Sequence, residues 1–241
     1  EKILTSWNGF SITALAEACR YLERADYLEA AQNCANFLLD NLWDGEHLFR
    51  AWKNTRSQIP GFLEDYAALI LGLLALYQAD GNLKWYKVAI NLADKMVTNF
   101  SDPEGGFFDT DQSMVDIPFR PKDAQDNATP SGGALAVRAL LSCSAFLGSD
   151  HYTRIAERSL VIVQEGLSQY PSAFGGWLAA LDLAVNPPLQ IAIVWDKTHT
   201  ENQINSLVDV GLKTYRPATY LARGCLPLAE GSPALLLDRP L

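Results

Sequence analysis

Three segments of this chain carry an aromatic residue followed by small or apolar residues at four-residue steps. They are Tyr27-x3-Ala31-x3-Ala35, Trp85-x3-Ala89-x3-Ala93 and Tyr152-x3-Ala156-x3-Leu160. Steps of four put each trio on one face of a helix. A polar turn precedes each trio (Glu23–Asp26, Ala79–Asn82, Gly148–Asp150), and before each turn lies an apolar helical stretch, roughly Asn8–Tyr21, Phe62–Gln78 and Ser131–Leu147. Helix, turn, helix therefore recurs at intervals of 58 and 67 positions. A repeat of that length is built as a solenoid or as a closed helical array.

The two helices of each hairpin differ in kind. Phe62–Ala79 has no charge after Asp65, and Ser131–Leu147 carries only Arg138. Helices apolar all round must be covered all round. The second helices keep one wet face, with Glu29, Asn33, Asn36 and Asp40 in the first and Arg154, Glu157 and Arg158 in the third. This alternation predicts an inner ring wrapped by an outer one, although a layered solenoid would alternate in a similar way. A fourth inner-type helix starts near Gly175-Gly176-Trp177 and stops before Asn186-Pro187-Pro188, because proline cannot continue it. The expected fold is all-α, a partial (α/α)6-type toroid of about seven helices over residues 1–186. Residues 187–241 then form a small βαβ unit and a tail: strand Leu189–Trp195, helix Glu201–Lys213 and strand Ala218–Ala222.

Charge narrows the partners. Lys+Arg 19 against Asp+Glu 28 gives a net charge of -9, a balance that repels phosphate backbones and anionic lipid, so neither nucleic acid nor membrane is expected. The apolar, uncharged run Tyr66–Ala79 is too short to span a bilayer. Lys2, Glu17 and Arg20 interrupt the only apolar stretch that could open a signal peptide. A cytoplasmic protein is expected, and a chain that starts at Glu1 without methionine reads as a piece of something longer. Cys19, Cys34, Cys143 and Cys225 are scattered and read as reduced thiols. With only His47, His151 and His199, and no Walker loop, GxSxG or GxGxxG, neither a metal nor a cofactor is expected. Catalysis would rest on carboxylates.

If the first-type helices form the inner ring, their N-termini gather on one rim. Register on Tyr27, Trp85 and Tyr152 sets Trp7, Asp65 and Gly132 at one level, 20 positions upstream. The segments leading into these helices hold Trp7 and Asn8; Glu64, Asp65 and Tyr66; Asp123 and Asp126; and Trp177. Aromatic faces beside acids and amides are what a sugar cleft needs. Each residue also has a structural alternative. Glu64 and Asp65 in a first helical turn answer the helix dipole. Thr129-Pro130 reads as an N-cap followed by an N1 proline. Gly132-Gly133 and Gly175-Gly176 permit close helix packing, and Trp7 and Trp177 serve equally well as core.

The stretches KILTSWNG (Lys2–Gly9), GFLEDYA (Gly61–Ala67), GGFFDT (Gly105–Thr110) and RPKDAQDNATPSGG (Arg120–Gly133), in this order, resemble the thioredoxin-domain-containing family named for a spermatogenesis-associated member. The resemblance extends to about Val194. It implies the C-terminal part of a protein with an N-terminal thioredoxin-like domain, carrying a toroid related to six-hairpin glycosidases and N-acylglucosamine 2-epimerases. About three and a half of six hairpins are present, so the toroid has an open side through which two copies could associate. Epimerases of that superfamily use a histidine pair, which has no counterpart here.

The leading expectation is a glycoside hydrolase acting through two carboxylic acids, about 6.5–9.5 Å apart for inversion. Candidate acids are Glu64 or Asp65 with Asp123 or Asp126. Asn8, Tyr66 and Arg120 are candidate binding groups, joined by Trp7 and Trp177. Two further readings stand beside it: a non-catalytic module that binds a glycan or peptide and presents it to the thioredoxin-like domain, and a scaffold whose polar rim only caps helices.

Overall fold

The computed structural model describes residues 2–115, 117–212, 215–216 and 218–237. In chain order the elements are β1 (Ile3–Leu4), α1 (Thr5–Leu22), α2 (Ala25–Leu42), β2 (Ala51–Lys53), β3 (Thr55–Arg56), α3 (Leu63–Asp80), α4 (Leu83–Phe100), α5 (Gly132–Leu147), α6 (Asp150–Gln169), α7 (Gly175–Val185), β4 (Leu189–Trp195), α8 (Glu201–Leu212) and β5 (Thr219–Cys225). Single 3₁₀ turns at Pro171–Ala173 and Ala234–Leu236 complete the set.

Helices α1, α3, α5 and α7 pack side by side as the inner ring, and α2, α4 and α6 return along the outside. The partial toroid expected from the repeat is therefore present, with seven helices in three and a half hairpins. Burial follows the two helix types. Helix α3 is enclosed by α1, α4 and α5, and Leu69, Ile70, Leu73 and Leu76 are all 0% exposed. Each such side chain contributes about 1.5–3 kcal/mol of burial. Helix α4 buries only one stripe, Trp85, Ala89, Leu92, Ala93 and Met96, the face marked by its sequence trio.

Inner helices run parallel and touch closely. A Cβ on Gly9 of α1 would lie 2.6 Å from the backbone carbon of Ala68, and one on Gly72 of α3 would lie 2.8 Å from the Gly9 carbonyl oxygen. The α1–α3 contact is thus backbone against backbone. Farther round the ring, a Cβ on Gly133 would meet the Trp177 indole at 2.7 Å, so α5 and α7 meet through that ring. Of the glycines expected to permit close packing, Gly132, Gly133 and Gly176 do so, while a Cβ on Gly175 would meet only Asp126 Oδ2 at 3.7 Å.

Side-chain caps start three of the outer and inner helices: Asn82 accepts from Lys84 N, Ser131 from Ala134 N and Ser149 from His151 N. Helix α5 therefore begins two residues later than a Thr129 cap would place it, with Ser131 taking that role. Gly81 and Gly148, both at positive φ, end α3 and α5.

Two strand features complete the frame. Residues β1, β2 and β3 form an antiparallel sheet that no period in the sequence announced, pairing Ile3 with Trp52 and Trp52 with Arg56. At the other end, β4 and β5 pair in parallel from Leu189–Thr219 to Trp195–Cys225, with α8 as the crossover. The βαβ unit is present as expected. Its second strand starts one residue later than expected and runs on to Cys225, while Lys213, expected to close α8, lies outside the described residues. Strand β5 lies against the C-terminal ends of inner helices: Leu221 N donates to Gln78 Oε1 (3.0 Å), Arg223 Nη2 to the Ala79 carbonyl (2.7 Å), and the Tyr220 and Ser142 hydroxyls meet at 2.7 Å. None of the helices among the described residues is long and apolar enough to cross a membrane.

Candidate active site at the helix rim

The N-termini of the inner helices meet at one rim, and two aspartates tie them in pairs. Asp65, 0% exposed, accepts from Ser6 N of α1 through Oδ1 (2.9 Å) and from Phe62 N through Oδ2 (2.9 Å). Asp126 accepts from Ser131 N ahead of α5 (2.8 Å) and from Gly176 N of α7 (2.6 Å). Each carboxylate satisfies helix-terminal amides that would otherwise be orphaned. Asp65 thus joins α1 to α3, and Asp126 joins α5 to α7.

Arg50 completes the first of these clusters. It directly precedes β2; Thr5 N donates to its carbonyl, and its own amide donates to the Ile59 carbonyl, both at 3.1 Å. Its guanidinium lies 4.6 Å from the Phe62 ring centroid, with Nη1 bonded to Asp65 Oδ2 (2.8 Å) and to the Glu64 carboxylate. Burial raises the Asp65 carboxyl above the ordinary aspartate range, against the pull of the Arg50 charge and the Phe62 amide.

Between the tied pairs, a recess of about 260 Å³ opens, and it holds Glu64, Asp109 and Asp123 with Gln125, Asn127 and Ser131. Asp109 N is anchored on the Pro121 carbonyl (2.8 Å), its carbonyl accepts from Leu63 N (3.0 Å), and its Oδ2 accepts from Asp123 N (2.7 Å). Burial raises the Asp109 carboxyl above its usual value, and the charges of Asp123 and Glu64 raise it further. Three carboxyls in one small recess, one of them shifted toward the protonated form, can divide acid and base work between them.

The expected residues are thus distributed over several roles. Glu64 and Asp123 share the recess; Asp65 and Asp126 have both carboxylate oxygens engaged in joining helices. Tyr66 is buried, its hydroxyl accepts from Leu48 N (3.0 Å), and burial pushes it up to about 12. Trp177 is buried as well and donates Nε1–H to the Ala124 carbonyl (2.9 Å). Arg120 spans the Asn99 and Thr110 carbonyls and lies 4.1 Å from the Phe108 centroid. Asn8 donates to the Leu4 carbonyl (2.7 Å), and Trp7 is 63% exposed at the edge of α1. Arg50 and Asp109 escaped the sequence reading. The only signal for Asp109 was its place in GGFFDT, and Arg50 had none.

Below the rim, the inner faces of α1, α3 and α5 line a cavity of about 390 Å³, which adjoins the recess at Thr129 and Pro130. Phe10, Leu71, Leu74 and Leu135 give it apolar walls, and Thr219 and Tyr220 border it from β5. Among the described residues, no group of three or more His, Cys, Asp or Glu side chains is arranged to hold a metal ion.

No protein-family model matches the chain. Among curated proteins, mouse (Mus musculus) spermatogenesis-associated protein 20 is 28% identical over 252 aligned positions, covering 100% of this chain and 31% of that protein. The chain therefore spans about a third of the length of such relatives. The family resemblance carried by the four motifs is borne out, and it reaches past Val194 over the whole chain. Among solved structures, the GH76 alpha-mannanase of Bacteroides thetaiotaomicron superposes with a TM-score of 0.57 at 18% identity, over 69% of this chain and 45% of that one. Cellobiose 2-epimerase of Spirochaeta thermophila gives 0.57 at 18% identity, over 68% and 43%. These likenesses show the fold, an (α/α)6-type toroid.

Proposed function

We propose that this toroid processes carbohydrate at its helix rim, as a glycoside hydrolase in which Asp109 donates the proton and Glu64 activates water. One observation carries the reading: three carboxyls from separate segments line one recess, and Asp109 among them is half-buried and raised by its surroundings. A raised carboxyl keeps its proton to higher pH than an ordinary aspartate and can pass it to a leaving oxygen. Arg50 fixes the second carboxylate, Glu64, while Asp65 and Asp126 set the spacing of the helices that present the recess. Asp123 carries its own carboxylate at the mouth and, through its amide, orients Asp109. Support from outside the chain lies in solved neighbours named as a mannanase and a sugar epimerase, which share the fold.

The test is turnover of a panel of oligosaccharides, read as release of reducing ends. Asp109→Asn and Glu64→Gln are each expected to lower the rate by about 10²–10⁴-fold with binding retained. Cleavage that survives both substitutions, or no cleavage of any substrate by the wild-type chain, would sink the hydrolase reading. Ligand binding unaffected by either substitution, without turnover, would favour a module that presents a glycan to a thioredoxin-like domain.

A further inference from the structure

The cavity beneath the rim contains donors that nothing in the fold uses. Arg20, in the last turn of α1, lines the cavity, and its Nε and Nη2 are shut off from solvent with no hydrogen-bond partner among the described residues. Thr219 at the start of β5 lines the same cavity; it is 6% exposed, and its Oγ1 is equally without a partner. Arg138 of α5 is a second guanidinium in the lining. Among the described residues, neither arginine has a carboxylate within ion-pairing distance. Glu17 is the only carboxylate in the described lining, set against two guanidiniums. Buried donors are paired in folded proteins, and an unpaired buried cation is the costliest exception.

A helix-dipole role explains a cation near the end of α1, but it does not require that two of its nitrogens be withdrawn from water. The ring of Tyr21, 5.5 Å from the guanidinium carbon, offers a face and no acceptor. The neighbouring Arg223 is already committed to the Ala79 carbonyl. Burial pulls the Arg20 guanidinium below the usual arginine value, the direction set by a cation kept from water. What the site lacks is an acceptor with several oxygens.

We propose that the end of this cavity next to β5 binds the acidic head of a small hydroxylated molecule, a sugar carboxylate or sugar phosphate, held by Arg20 and Thr219 and faced by Arg138. A guanidinium with two free N–H groups matches the two oxygens of a carboxylate or phosphate. The volume, about 390 Å³, suits a ligand of that size, with Phe10 and Leu74 to cover an apolar ring face. The assignment does not depend on turnover at the rim, because it rests on different residues, with Arg20 and Thr219 at the far ends of the inner helices.

The experiment is calorimetric titration of the full chain with glucuronate, glucose 6-phosphate, inorganic phosphate and neutral glucose. The acids are expected to bind about tenfold or more tightly than glucose, a difference of about 1.4 kcal/mol, and to weaken as salt is added. Preference for glucuronate identifies a carboxylate head; preference for the two phosphates identifies a phosphoryl head. Arg20→Gln is expected to erase the advantage of the acids while raising the melting temperature of the unliganded chain, since it removes two buried N–H donors that have no acceptor. A helix-stabilising Arg20 gives the reverse, a lower melting temperature with ligand preference unchanged. Thr219→Val supplies the same readout without altering charge, with weaker acid binding and no loss of stability expected. Equal affinity for acids and glucose, or acid binding that survives both substitutions, overturns the proposal. Glu64→Gln is expected to leave acid binding intact, so failure of the hydrolase reading and failure of this one remain distinct.

Discussion

At Asp109 the protein keeps a carboxyl half out of water with two others beside it, and this has a consequence that can be read without any substrate. Its value is raised on folding, chiefly by burial. Folding therefore favours the protonated form, and the contribution of Asp109 to stability is full below about pH 3.9, the unfolded value, and is lost as pH rises through the folded one. At neutral pH the ionised side chain is a liability. Asp109→Asn keeps an acceptor for Asp123 N and removes the charge. It is expected to melt above the wild type at pH 7 and level with it near pH 4, as measured by thermal unfolding at both pH values. A mutant that melts lower at pH 7 would mean that the contact with the Asp123 amide needs the charge. Gaining stability while losing turnover is the trade-off expected of a residue retained for chemistry.

Among the elements, the helices were legible because each is consistent at several levels. The trio of α4 fell on its buried stripe, the charge-free run of α3 on a helix enclosed from three sides, and the prolines after Asn186 marked the end of α7. The rim was legible only in part. Glu64 sits in the first turn of α3, where the repeat register locates it, and Asp123 lies in the segment that leads into α5. Arg50 and Asp109 lie in segments without a period, and they reach the rim through pairings distant in sequence: β1 with β2, and Asp109 with Pro121. Nothing local encodes such approaches. The same distance hides the role of Asp126, which lies 50 residues before the α7 amide that it accepts from. Asp126→Ala is expected to cost about 1–3 kcal/mol through two unserved amides. Hydrogen exchange should accelerate in α7 and leave α3 protected. Uniform acceleration across all inner helices would instead show that the rim unfolds as one unit.

The whole molecule is an arc, with α1 and α7 as its flanks. Both flanks show apolar side chains to solvent: Trp7 and Leu22 are each 63% exposed on α1, and Val185 is 64% exposed on α7. Association of two copies through the open side, or of this arc with further hairpins, would cover them. Sedimentation over a concentration series is expected to reveal a dimer that Trp7→Ser with Leu22→Ser dissociates; a monomer at every concentration would remove self-association from the reading. Two of the three joints within the arc differ in compliance. Where Gly9 and Gly72 bring α1 and α3 into backbone contact, no rotamer is available to yield, and the first two hairpins behave as one stiff plank. The α5–α7 joint is a side-chain contact, an indole against a glycine, pinned at the rim by Asp126. A guest that needs more room is therefore expected to gain it at the α7 flank, where a side chain can yield, rather than on the Arg50 side.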